Sequence, residues 1–130
     1  MTDERALSHQ LRDSGFTTAC SKRGRLLRVD SRTLSRPVEP MEMDGICLCS
    51  AMRELYLPHL ELPTNVYVGK ISEMAGLKVF DIEGSDFTDE SLQQLAGLQQ
   101  LQVLNVRNTQ VSSDCVAQWR KRMIGTRIIF

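Results

Sequence analysis

The stretch LKVFDIEGSDFTDESLQQL at 77–95 and the stretch LQVLNVRNTQVSSDCVAQW at 101–119 are two copies of one pattern, 24 residues apart. Apolar residues recur in register: Leu77 with Leu101, Phe80 with Leu104, Ile82 with Val106, Phe87 with Val111, Leu92 with Val116, and Leu95 with Trp119. Polar positions follow, Ser85 with Thr109 and Thr88 with Ser112. With 42% of the chain apolar, six prescribed sites coincide by chance roughly 0.5% of the time. A fixed period of this length signals stacked repeats.

Working outward, a shift of 25 pairs Met52, Leu55, Leu57 and Leu62 with Leu77, Phe80, Ile82 and Phe87. After one inserted residue, Val68, Ile71 and Met74 fall on Leu92, Leu95 and Leu98. Downstream, a shift of 24 puts Ile128 and Phe130 on Leu104 and Val106, with Gly125 where a leucine belongs. A fainter unit comes first, with Leu27, Val29 and Leu34 in the frame of Leu55, Leu57 and Leu62. Its return through Met43, Ile46 and Cys49 is lengthened by SRPVEPMEMDG.

Each unit has a physical reading. Two apolar residues at a spacing of two (Phe80 and Ile82; Leu104 and Val106) describe a short strand with one buried face. A polar turn follows, then apolar residues at three-residue steps (Leu92, Leu95, Leu98), which suit a helix or 3₁₀ turn. Thr88 and Ser112 stand where they can cap helix N–H groups, and Gly76 is placed as a C′ residue. One unit alone has nothing to bury its apolar side, so neighbours must stack.

These motifs resemble the leucine-rich repeat, an LxxLxL core followed by a small polar and then an apolar residue. LQVLNVRNTQV fits closely, and LKVFDIEGSDF fits with Phe and Ile replacing leucines. SDFTDESLQQLAGLQQL and NTQVSSDCVAQW are similar to the short, bacterial-type subclass with a T-x-V-T-D turn before a convex helix. The likeness covers residues 50–130 well and 24–50 poorly. It departs at Leu60, where a small polar residue is expected, and again after Trp119, where WRKRMIGTRIIF reads as a terminal cap. The resemblance implies an α/β fold: a short solenoid with a concave parallel sheet and a convex side of short helices or 3₁₀ turns. Residues 25–130 would form about four repeats, with a terminal strand or cap at 119–130. Residues 1–24 are expected to be an N-terminal cap, with Ala6, Leu7 and Leu11 at helical spacing, or a partly disordered segment; RDSGFTTACSKRG is too irregular to assign.

On such a scaffold the residues between the buried apolar ones face outward from the sheet. The register gives Leu26, Arg28 and Asp30; Glu54, Tyr56 and Pro58; Val79, Asp81 and Glu83; and Val103, Asn105 and Arg107. Tyr56, Asp81 and Asn105 should lie side by side, as should Glu83 and Arg107, about 4.8 Å from strand to strand. Arg28, Tyr56, Asp81, Glu83, Asn105 and Arg107 are the candidate partner-binding residues, because Tyr, Arg and acidic groups on a rigid sheet make a recognition surface. The plainer alternative is a solvated face with a Glu83–Arg107 pair contributing under about 1 kcal/mol.

Composition sets the other bounds. The 130 residues suit one domain, and 16 basic residues balance 16 acidic ones. The balance is local in origin: residues 1–40 carry eight basic against five acidic (+3), residues 41–100 three against ten (−7), and residues 101–130 five against one (+4). The plainer reading is a solvated surface whose charge varies along the chain; the alternative is an acidic central face between basic ends, which would favour a basic partner. MTDERALSHQLRDSG lacks the apolar stretch of a secretory signal, and the longest apolar segment, ICLCSAM at 46–52, is far too short to span a bilayer. Four cysteines do not amount to a disulfide framework, so a cytoplasmic protein is expected. Cys47-x-Cys49 with His59 or Cys20 is not a zinc spacing, and Cys49 sits in a core frame. Cys115 aligns with Ser91 and reads as a partly exposed thiol. His9 and His59 belong to no catalytic motif.

No catalytic residue, metal or cofactor is expected. The four basic residues of WRKRMIGTR suit a helix C-terminus better than a nucleic-acid site. The expected function is noncatalytic protein–protein recognition through the concave sheet, the partner being another protein. The alternatives are a structural piece docking edge to edge in a larger repeat assembly and, last, an enzyme of unrecognised type.

Overall fold

The computed structural model describes residues 3–130. The described residues form five helices and six strands, with two successive strands after the first helix and strict alternation of strand and helix from there on. The helices are α1 (Glu4–Ser14), α2 (Pro40–Cys47), α3 (Val68–Ile71), α4 (Asp89–Gln94) and α5 (Ser113–Arg122), with 3₁₀ turns at Thr64–Val66 and Leu95–Gly97. The strands are β1 (Thr17–Cys20), β2 (Leu26–Asp30), β3 (Glu54–Tyr56), β4 (Val79–Asp81), β5 (Val103–Asn105) and β6 (Arg127–Ile129). They form one sheet in the order β1-β2-β3-β4-β5-β6.

β2 to β6 are all parallel, the arrangement that repeated strand–turn–helix units impose. Val29, Leu55, Phe80, Leu104 and Ile128 align across them as one buried column. Leu57, Ile82 and Val106 lie beyond that column, and Leu26, Met52, Leu77 and Leu101 before it, all fully buried. The helical side closes the core with Met43, Ile46, Val68, Ile71, Leu92, Leu95, Val116 and Trp119. Each buried aliphatic side chain contributes about 1.5–3 kcal/mol relative to exposure. Phe80 and Phe87 meet edge to face, 6.1 Å between centroids at 79°.

The turns after the strands repeat as well. His59, Gly84 and Asn108 all have left-handed backbone, with φ of 58°, 72° and 57°, so the repeat shift holds even for this unusual conformation. The next residue fixes the turn. Ser85 Oγ donates to the Ile82 carbonyl at 2.7 Å, and Thr109 Oγ1 donates to the Val106 carbonyl at 2.6 Å. Leu60 stands at that position in the preceding unit and contributes to the core instead. Thr88 and Ser112 cap α4 and α5, accepting from the N–H groups of Ser91 and Cys115.

Several details differ from the sequence reading. The first unit sits two residues from the expected register: Val29 pairs with Leu55, not Leu57, and Asp30 lies beside Tyr56. Leu26, placed on the open face, is therefore in the core at 0% exposure. Two adjacent leucines made both frames satisfy the apolar pattern. The sheet is not wholly parallel, because Thr17–Cys20 pairs antiparallel with β2. Gly76 lacks the left-handed φ of a C′ residue, since α3 ends five residues earlier. Cys115 is buried, held where α5 packs inward.

At the amino end, Asp3 caps α1 and Gly15, at φ 114°, ends it. Glu4 accepts the Leu26 N–H at 2.7 Å and pairs with Arg25 at 3.1 Å, satisfying the start of β2. Ser8 Oγ and Thr18 Oγ1 share a buried hydrogen bond of 2.6 Å. Polar satisfaction of this kind is what lets a helix lie over strand ends.

Candidate functional site

The open sheet face carries two rows of side chains. Arg28, Glu54, Val79, Val103 and Arg127 form one row across β2 to β6, and Asp30, Tyr56, Asp81 and Asn105 form the next across β2 to β5. Tyr56, Asp81 and Asn105 are thus adjacent on consecutive strands, as their spacing implied. Period-2 alternation alone puts them opposite the buried column.

At the amino end of the face the charges are mutually paired. Arg32 Nη2 donates to Asp30 Oδ2 at 2.7 Å and Nε to Oδ1 at 2.9 Å, with the Arg32 N–H on the same carboxylate at 2.9 Å. Arg28 lies 3.4 Å from Asp30 and 3.7 Å from Glu54. Both guanidinium groups stand over the Tyr56 ring, at 5.0 Å for Arg28 and 4.3 Å for Arg32, a cation–π arrangement. The Tyr56 hydroxyl donates to Glu54 Oε1 at 2.8 Å. Arg32 was not among the candidates. Only its position just past a strand-end aspartate could have suggested it.

Two aspartates one strand apart from Tyr56 are tuned oppositely. Burial works against the charge on Asp30, but the Arg32 hydrogen bonds and the Arg32 and Arg28 charges outweigh it and hold its pKa below the ordinary value. Burial raises that of Asp81, and the Glu83 and Asp30 charges add to it, against the Glu83 N–H bond and the Arg32 charge. Burial also raises the Tyr56 hydroxyl, together with its bond to Glu54.

Glu83 Oε1 accepts from Asn105 Nδ2 at 3.3 Å, and its other oxygen lies 4.0 Å from His59 Nε2. The expected Glu83–Arg107 ion pair is not formed. Arg107 is exposed, and among the described residues no carboxylate lies within 4.0 Å of it. The Asn105 amide instead takes one Glu83 oxygen, and the Asn105 side-chain oxygen accepts the Arg107 backbone N–H at 3.1 Å.

A cleft of about 690 Å³ opens beside this face, lined by Arg32, Arg36, Val38, Leu60, Asp81 and Glu83 among others. Arg36 is held there by Glu42, at 2.7 Å. Leu34 and Leu60, the apolar residues at the turn positions that Ser85 and Thr109 occupy later, form part of its wall.

Among the described residues no three His, Cys, Asp or Glu side chains are grouped to hold a metal ion. Cys47 and Cys49 are buried in the core, and that burial pushes their thiols up to about 11 and about 12. No helix of the described residues is long and apolar enough to cross a membrane.

Comparison with known proteins places this geometry. The chain is similar to a leucine-rich repeat protein of Leptospira interrogans, with TM-score 0.50 at 15% identity over 72% of this chain. It spans 28% of the length of that protein. A second solved structure, the leucine-rich repeat ectodomain of the receptor kinase SOBIR1 from Arabidopsis thaliana, aligns with 99% of this chain and 92% of its own at 17% identity and TM-score 0.49. No protein-family model and no curated protein matches the sequence. The fold is that of a leucine-rich repeat solenoid, with a sheet on one side and short helices on the other.

Proposed function

We propose that the chain is a noncatalytic protein-interaction module that holds another protein on the open face of its sheet. The observation that carries this reading is the row Tyr56, Asp81 and Asn105, on three adjacent strands whose opposite side is locked into the core. A rigid platform fixes these groups before binding, so little ordering entropy is lost on association. Arg28, Glu83 and Arg107 extend the surface. The repeats are read as T-x-V-T-D-like, supported by the buried Phe87 and Val111 and the caps at Thr88 and Ser112. Four free thiols, three of them buried, support a reducing, cytoplasmic setting.

The test is affinity capture with wild type and with a Tyr56→Ala, Asp81→Ala, Arg107→Ala variant shown by circular dichroism to be folded. A partner captured by wild type and lost by the variant supports the reading. Equal capture by both overturns it.

A further inference from the structure

The open face is electrically uneven, and the imbalance lies at its centre. On β2 and β3 the charges answer one another, Arg32 on Asp30 and Arg28 between Asp30 and Glu54. On β4 and the turn after it they do not. Asp81 Oδ1 accepts the Glu83 N–H at 3.0 Å; Glu83 Oε1 accepts from the Asn105 amide, and the exposed His59 imidazole stands 4.0 Å from its other oxygen. Among the described residues no lysine or arginine lies within 4.0 Å of either carboxylate. In the adjoining row Val79 and Val103, both half-buried, offer an apolar floor.

Resting on the reading of this face as the binding surface, we propose that its occupant is an extended segment of a partner protein presenting an arginine or lysine to Asp81 and Glu83. The aliphatic stem of that residue would lie along Val79 and Val103, and its head would supply the cation that the fold withholds. Asp81 and Glu83 are two residues apart on one face, so a planar guanidinium can reach both. Charge complementarity argues for this occupant over an acidic or neutral one: residues 41–100, which include β3 and β4, carry ten acidic residues and three basic ones. Tyr56 is already stacked with two guanidinium groups, which leaves the carboxylates as the open sites for charge. Asp81 is half-buried with no lysine or arginine within 4.0 Å among the described residues, so an arriving charge is worth more there than at a fully solvated carboxylate.

The test is fluorescence anisotropy with a fluorescein-labelled nonapeptide of alternating Ala and Arg, and its Ala-Glu counterpart. The proteins are wild type, Asp81→Asn/Glu83→Gln, and Glu73→Gln/Glu90→Gln, which removes two exposed carboxylates outside the open face. The Arg peptide should bind wild type, lose about tenfold in affinity with the first pair, and change little with the second. No binding to wild type, equal losses in both pairs, or tight binding of the Glu peptide overturns the proposal. Capture of a partner is compared in parallel with a folded Val79→Trp/Val103→Trp variant, which obstructs the face without touching its charge. Capture lost there but kept in Asp81→Asn/Glu83→Gln overturns the cationic occupant and leaves the face reading standing. Capture kept in both overturns the face reading as well. A dimer in sedimentation velocity that Asp81→Asn/Glu83→Gln dissolves makes the occupant a second copy and overturns the partner segment.

Discussion

The Asp30 carboxylate grips Arg32 through both oxygens, at 2.7 Å to Nη2 and 2.9 Å to Nε, across two residues of chain at the end of β2. The grip holds the Arg32 guanidinium 4.3 Å from the centre of the Tyr56 ring. Asp30 is itself nearly buried, and hydrogen bonds to a charged group contribute about 1.5–3 kcal/mol each when well made. Asp30→Asn should therefore cost about 1–3 kcal/mol at pH 7, read as a shift of the urea midpoint.

The same residue and its neighbour predict opposite pH behaviour. Asp30 titrates lower in the folded protein than in the unfolded chain, whose value is about 3.9. Its stabilisation is present above that value and is lost as the pH falls through the folded pKa. Asp81 titrates higher in the folded protein, so its contribution is present at acid pH and is lost as the pH rises through the folded pKa. Asp81→Asn should thus be more stable than wild type at pH 7, with the gain gone at pH 3, because Asn still accepts the Glu83 N–H. The Asp30→Asn deficit should shrink toward pH 3. Urea titrations at the two pH values decide it, and deficits or gains independent of pH would remove charge as the cause.

How far the sequence carried this structure varies along the chain. Residues 50–119 were legible because each unit repeats the same demand, and Phe80 and Leu104 can satisfy it in only one frame. The first unit was ambiguous because Leu26 and Leu27 are adjacent, and only the pairing of Val29 with Leu55 resolves which one turns inward. β1 was illegible: Thr17–Cys20 is short, and what fixes it is the Ser8–Thr18 contact from a helix ten residues away. On the open face the row Tyr56, Asp81 and Asn105 followed from register alone. The loss of the Glu83–Arg107 pair did not, because which partner Glu83 takes depends on side-chain reach.

Ser112 does two things at once. It caps α5 through the Cys115 N–H, and its own N–H and hydroxyl donate to Asp89 at 2.7 and 2.8 Å, tying one repeat to the next. The Ser112 backbone bond, and then its hydroxyl, hold the Asp89 pKa below the ordinary value against burial. Ser112→Ala should cost about 1–2 kcal/mol, at the upper part of the range for a lost cap. Thr88→Ala, whose side chain caps α4 without a carboxylate partner, should cost less. Thermal unfolding of the two variants side by side checks the order.

Gly84 and His59 occupy the same turn position in consecutive units, both left-handed, and the imidazole lies over the glycine. A Cβ at Gly84 would collide with the His59 ring. That ring is 71% exposed and is free to swing outward, so the collision is cheap to relieve. The backbone is not: at φ 72° a residue with a Cβ is strained by about 1–2 kcal/mol. Gly84→Ala should therefore destabilise by about that amount, and by nearly the same amount in a His59→Ala background. Gly84→Asn, which tolerates this conformation better, should cost less. If the His59→Ala background abolishes the penalty, steric contact with the imidazole sets the cost rather than backbone conformation. The double-mutant cycle separates the two, because the coupling measures the contact alone.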